Sequence, residues 1–306
     1  MTEKMKTKDR RFIITDILLL VLTILPIVCG IIIYILTAAE SEGIKIAGAQ
    51  IYFTLNTPLQ PLPITESQVN SALVIISVFF LCLYLTHGLT EKAETRRQHI
   101  AEFIVEKTES LVKTNMGELF NGFAPFIAAI MALSTFSSLL SLFGLYPPTS
   151  DMNIVAGWAL LVFILITHYK MKCGVGHYLK SFAQPALLTP LNVISEVATP
   201  VSMAFRHYGN VLSGSVISVL VAAALGGLSS MLLGNLPGIL ADFPIFRIGI
   251  PAVLSVYFDI FSGCLQAYIF AMLTMLYISN GFPAEDYKKK LAGESKKSKK
   301  AVTARD

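Results

Sequence analysis

Six apolar runs, each long enough to cross a bilayer, leave this chain few ways to fold. They cover about 12–38, 71–88, 120–145, 153–169, 190–232 and 248–280. A helix needs about 20 mostly apolar residues to span hydrocarbon. No water pairs with backbone N–H and C=O groups there, so a spanning segment is a helix or part of a closed barrel. The alternating pattern of barrel strands is absent, which leaves helices. Composition agrees, since 54% of the 306 residues are hydrophobic and 14% are charged. Soluble domains carry roughly 25% charged residues. A disordered chain is excluded, and so few charges cannot cover the surface of a soluble enzyme. The expected fold class is an all-α polytopic membrane protein of about six helices.

The charges set its orientation. Of 24 Lys and Arg residues, 21 fall in alternate segments: 1–11, 89–119, 170–189 and 281–306. The intervening loops 39–70, 146–152 and 233–247 hold only Lys45 and Arg247. The positive-inside rule makes the rich side cytoplasmic, with both termini inside. The basic head, the first apolar run and the small residues Thr37, Ala38 and Ala39 resemble a secretory signal. The run exceeds the 7–15 residues of a signal core, so a retained anchor is expected. In loop 89–119, Ile100, Phe103, Ile104, Leu111 and Val112 fall near helical spacing between charges. That pattern predicts an amphipathic helix on the cytoplasmic face. The tail, with KKK at 288–290 and KKSKK at 296–300, reads as disordered and facing solvent or headgroups. Cys29, Cys82, Cys173 and Cys264 form no CxxC or Cys/His zinc pattern, so no metal or cofactor is expected.

Ionisable groups inside a bilayer cost roughly 2.5–3.5 kcal/mol each on insertion scales. The exceptions cluster late in the chain: Glu196, Arg206 and His207 in the fifth run, Asp259 in the sixth. Asp16 lies near the start of the first run, where snorkelling to the interface explains it. The fifth run holds 43 residues, which as one helix extends roughly 64 Å. It must tilt steeply, bend or break, with Pro200 a candidate kink and Gly209 and Gly214 available for close packing. Ser202, Arg206, Asn210 and Ser213 share one helical face, and Asp259, Ser262 and Gln266 share another. A buried guanidinium stays protonated and needs a carboxylate or water. Pairing Arg206 with Asp259 makes an inert staple. The functional reading is an Arg kept for a carboxylate that comes and goes on another chain.

These residues resemble a known family. PVSMAFRHYGNVLSG (200–214) is similar to the signature helix of subunit a of F-type ATP synthases, and FDIFSGCLQAYIFAMLTMLYIS (258–279) to its last helix. TSDMN (149–153), KMK (170–172) and PLNVISE (190–196) match in order. The resemblance covers about 66–282 and implies three parts: residues 1–65 with an added first helix and outer loop, the core 66–282, and a basic tail 283–306. The added helix is a departure, since shorter members begin outside.

The resemblance implies a stator subunit whose last two helices form a long, tilted hairpin facing a rotor ring. Two aqueous half-channels carry ions to and from the ring carboxylates. Arg206 matches the essential arginine, and Asn210 and Gln266 match polar residues that flank it. Asp259 matches a relay position of the outer half-channel. Ser215 stands where the family often has an acid, which supports moving that relay to Asp259, with Asp151 and Asn153 at the mouth. Glu196 matches the acid of the cytoplasmic half-channel, although its linker to Arg206 is about a turn shorter than in some members. Ser202 and Ser262 are further candidates. His207 replaces an apolar residue and either faces the inner channel or packs. The implied partners are a ring of c subunits, b subunits of the peripheral stalk, the rest of the complex and the lipid bilayer. No nucleic acid is implied, and the subunit is not an enzyme by itself. The implied location is a bacterial plasma (inner) membrane.

Three other classes compete. A secondary ion-coupled transporter needs paired broken helices around a pocket. An intramembrane protease needs HExxH, GxSG or GxGD, none of which occurs. A membrane scaffold leaves Arg206 unexplained.

Overall fold

The computed structural model describes residues 2–37, 48–58, 60–90, 95–182, 188–233, 249–251, 253–254, 256–284 and 287. Its elements run α1 (Thr2–Thr37), β1 (Ile51–Asn56), β2 (Pro61–Thr65), α2 (Glu66–Thr86), α3 (Arg96–Met116), α4 (Ala124–Leu139), α5 (Met152–Lys170), α6 (Val175–Phe182) and α7 (Thr189–Leu233). A π-helical segment, Val256–Ser262, then leads into α8 (Gly263–Gly281). Six helical stretches are long and apolar enough to cross a membrane: Phe12–Thr37, Glu66–Thr86, Glu118–Phe143, Met152–Lys170, Thr189–Leu232 and Gly249–Gly281. The chain is an all-α polytopic membrane protein, and its spans lie within a few residues of the expected ones apart from the earlier start of α2. The basic tail at 288–306 and the segments holding Lys45, Lys92 and Arg247 lie outside the described residues.

α7 is one helix of 45 residues with Pro200 inside it. Proline removes one backbone donor, yet lone prolines are tolerated in membrane helices where neighbours re-satisfy the freed groups. At 1.5 Å per residue α7 is about 67 Å long, roughly twice the hydrocarbon thickness. Only 6% of its apolar window is buried, against 33% for Glu118–Phe143. The longest helix is therefore the one most open to its surroundings.

The core forms where α4, α5 and α8 meet the end of α3. Val112, Ile127, Val162, Phe270, Met275 and Ile278 are its buried centre. Close approach of α4 and α8 depends on Gly263. A Cβ there would lie 2.5 Å from Ser138 Cβ. Gly214 likewise lets Phe258 within about 3.0 Å of where its Cβ would sit, while nothing lies near Gly209.

Three local features differ from expectation. Segment 51–65 is an antiparallel hairpin, with Ile51 opposite Thr65 and Asn56 opposite Pro61. Its prolines are tolerated because both strands are edges. Asp16 does not simply snorkel: its Oδ1 accepts from Arg97 Nη1 at 2.7 Å and lies 2.9 Å from His87 Nδ1. Arg97 also donates to the His87 carbonyl at 2.5 Å, and Phe12 stacks on the His87 ring. The start of the apolar part of α1 is thus tied to the C-terminal end of α2 and the first turn of α3. The helix α3 forms as expected, but only partly as a surface helix. Ile100, Phe103 and Ile104 are exposed, whereas Val112 and Met116 enter the core.

Gly263→Ala is expected to lower the thermal midpoint of the detergent-extracted protein by overpacking, at a cost of about 1–3 kcal/mol. Adding Ser138→Gly should restore most of it. A Gly263→Ala melt equal to the parent's would show that the α4–α8 contact is not tight.

Candidate functional site

α7 presents Ser202, Arg206, Asn210 and Ser213 on one exposed face. Spacings of four, four and three residues keep them in line. Among the described residues Arg206 makes no ion pair, with Asp259 or any other acid. The expected alternative of an inert Arg206–Asp259 staple is therefore not what the fold contains. One turn on, Asn210 Nδ2 donates to Ser262 Oγ at 2.8 Å. This bond joins the Arg206 face of α7 to the segment that starts the last helix. Gln266, one turn beyond Ser262, is buried.

Asp259 lies in the π-helical segment, half-buried. The α-helical count behind a shared face of Asp259, Ser262 and Gln266 does not carry across such a turn, where bonds run i→i+5. Instead Asp259 lines a cavity of about 20 Å³ with Ser138, Ser141, Asn210, Gly214 and Ser215. That space admits about one water. The cavity brings together three residues singled out in the sequence, Asp259, Asn210 and Ser215, from two helices.

A second cavity, of about 480 Å³, opens at the end of the bundle that carries α6. Glu196, Lys170, Tyr178, Thr199 and Tyr277 are among its walls. Lys170 Nζ donates to Glu196 Oε2 at 2.6 Å, and Tyr178 Oη donates to Oε1 at 3.3 Å. Burial, followed by the negative charge of Glu196, raises the Tyr178 pKa above its ordinary value. The phenol therefore stays a donor at neutral pH. The Lys170 stem lies against Gly281, where a Cβ would meet it at 2.7 Å. Tyr178 was not singled out in the sequence, and Lys170 only within the KMK match at 170–172. Lys170 read as a topology charge, and only the fold reveals its carboxylate.

Asp151 is at the opposite end. It caps α5, accepting from the Asn153 N–H at 2.9 Å and from the Ser67 hydroxyl. Asn153 itself is exposed. Beside them Glu66 is 3% exposed, and its Oε1 accepts from the Tyr146 N–H at 3.4 Å. Asn70 donates to the Tyr146 carbonyl at 2.9 Å. Burial, then the charge of Asp151, raises the Tyr146 pKa. Glu66 was not singled out in the sequence. Its place just after Thr65, before an apolar run, is the helix-start signal that locates it.

His207 lies among core side chains, and its buried Nδ1 has no hydrogen-bond partner among the described residues. It is fully buried, 3.4 Å from Ser134 Oγ through Nε2, and edge-on to Trp158 and Phe270. A residue next to Arg206 is turned about 100° around the helix, which carries His207 from the open face into the core.

The sequence profile of the ATP synthase A chain family matches residues 69–279. A protein named ATP synthase subunit a 1, from Crocosphaera subtropica, is 29% identical over 224 residues, covering 72% of this chain and 88% of its own. The ATP synthase subunit a of Legionella pneumophila is 27% identical over 237 residues, covering 76% and 93%. That of Macrococcus caseolyticus is 31% identical over 217 residues, covering 66% and 84%.

His207→Phe should keep assembly and ion-coupled activity, because the site uses the ring as a packing body. His207→Ala should lower the thermal midpoint, in line with about 2–5 kcal/mol for emptying a large core site. Loss of ion flux in a normally assembled His207→Phe protein would return His207 to the ion path.

Proposed function

The chain belongs to the ATP synthase A chain family, and from that premise we propose that it is the ion-conducting stator of the membrane motor. The observation that carries this reading is Arg206. It is a charge within a membrane-spanning helix, on an open face, without an ion pair among the described residues. Holding such a group in the membrane is costly. The cost is offset when the face packs on a rotor ring whose carboxylates pass one at a time.

In this reading the positive field of Arg206 favours the ionised ring carboxylate. It releases the ion there and blocks direct leakage between the half-channels. The low dielectric strengthens the field. Asn210, held by Ser262, keeps the adjoining turn of α7 in register with the last helix, and Gln266 buttresses it. The length of α7 supports a steep tilt, which presents its side rather than its end to the ring. The coupling ion is H⁺ or Na⁺.

Asp259, with Ser215 and Asn210, forms the inner end of the outer half-channel. The small cavity supports this, since a carboxylate beside room for one water can pass an ion to the ring face. Asp151 and Asn153 belong to the rim, where Asp151 also caps α5. Glu196 with Lys170 and Tyr178 lines the cytoplasmic half-channel, whose wide cavity suits hydrated ions. Ser202 extends the Arg206 face toward it. Charge distribution supports both termini in the cytoplasm of a bacterial cell. The proposed partners are the c ring, the b subunits and the remaining complex. Catalysis of ATP chemistry lies in other subunits.

Arg206→Ala is expected to abolish both ion-driven ATP synthesis and ATP-driven pumping in reconstituted complexes. Retained coupling would refute the stator-charge mechanism. Asp259→Asn should slow ion flux while the complex stays assembled; unchanged flux would remove Asp259 from the path. A Cys in place of Asn210 should cross-link to ring helices.

A further inference from the structure

One buried acid is not absorbed by this mechanism. Glu66 is 3% exposed, although it starts a helix at the end of the bundle where water is near. Glutamate is almost never buried this far unless paired. Among the described residues no cation pairs with it. Its carboxylate has one long bond to the Tyr146 N–H, at 3.4 Å. The first turn of α2 favours a negative charge there. The two neighbouring polar side chains are turned elsewhere: Ser67 to Asp151 and Asn70 to the Tyr146 carbonyl.

Glu66 lines a cavity of about 300 Å³, with Tyr34, Gly48, Gln50, Ser141, Tyr146 and Pro147 among its walls. Ser141 and Pro147 also wall the small cavity that holds Asp259. The two cavities are therefore neighbours that share these two lining residues. Tyr34 comes from α1, outside the matched family region.

We propose that Glu66 is an ion-binding carboxylate at the entrance of the outer half-channel, beside the rim residue Asp151, passing ions past Ser141 and Pro147 to Asp259. This rests on the stator reading given above. For a proton, the ion adds to a Glu66 carboxylate oxygen from water and leaves to the next water inward, so Glu66 ends unchanged. For Na⁺, the carboxylate replaces part of the hydration shell and then returns it. The extra helix α1 supplies one wall of this entrance.

The test uses the complete ATP synthase complex in vesicles, with native cysteines replaced. Glu66→Cys should react with a membrane-impermeant methanethiosulfonate added from the side opposite the termini, and labelling should lower ATP-driven pumping severalfold. Glu66→Gln should slow passive ion flux severalfold, and Glu66→Asp should retain most of it. Tyr34→Trp, which narrows the cavity without altering Glu66, should also slow flux; it serves if Glu66→Gln does not assemble. A Cys at 66 that stays unlabelled, or labels without effect on pumping, overturns the proposal. So does parental flux in Glu66→Gln or, where that variant fails, in Tyr34→Trp. Arg206→Ala in parallel separates the two ideas. If it uncouples while Glu66→Gln does not slow flux, only the Glu66 assignment fails. If it stays coupled, the stator reading fails.

Discussion

A charged side chain cannot rest in hydrocarbon without something that repays its dehydration. This constraint organises the fold. The core is concentrated among α4, α5 and α8, while α7 is left open along most of its length. Arg206 is on the open side and His207, one residue on, is in the core. A helix that packed evenly on all sides would have to satisfy the guanidinium internally. This one packs on one side and, among the described residues, leaves the guanidinium without an ion pair on the other.

The other membrane-embedded acids are arranged by the same rule with different solutions. Asp16 is matched at 2.7 Å by Arg97 and Glu196 at 2.6 Å by Lys170, each near one end of the bundle. Among the described residues Asp259 and Glu66 form no ion pair, and each borders a cavity. Glu196 combines both solutions, since it is paired with Lys170 and also borders the wide cavity.

The spans and their order were legible because the bilayer imposes composition on every residue that touches it. The Arg206 face was legible because helical spacing acts within a few residues. The pairings were not. Asp16 meets Arg97 across 81 positions, and Lys170 meets Glu196 across 26. Such meetings depend on which helices pack together, which no local spacing encodes. Arg97 therefore read only as a topology charge, and Lys170 as that and as part of a matched motif, without its partner. The 51–65 hairpin lies in what the sequence read only as a loop; its prolines disfavour a central strand but are tolerated where both strands are edges. Glu66 was passed over because burial at a helix start is a property of the loop folded over it, here Tyr146.

The π-helical turn at Val256–Ser262 has a consequence for how such chains are compared. Positions in related proteins are matched by counting from a shared landmark, here Gln266. Counting assumes about 100° of rotation per residue. A wider turn spends an extra residue on the same revolution, so the direction in which Asp259 points is set by backbone bonding as much as by its number. Deleting one residue in this turn would restore α-helical winding and swing the acid around the helix while leaving every side chain's identity intact. Two relatives with acids at different counted positions can therefore aim them into the same space, and two with acids at the same count can aim them apart.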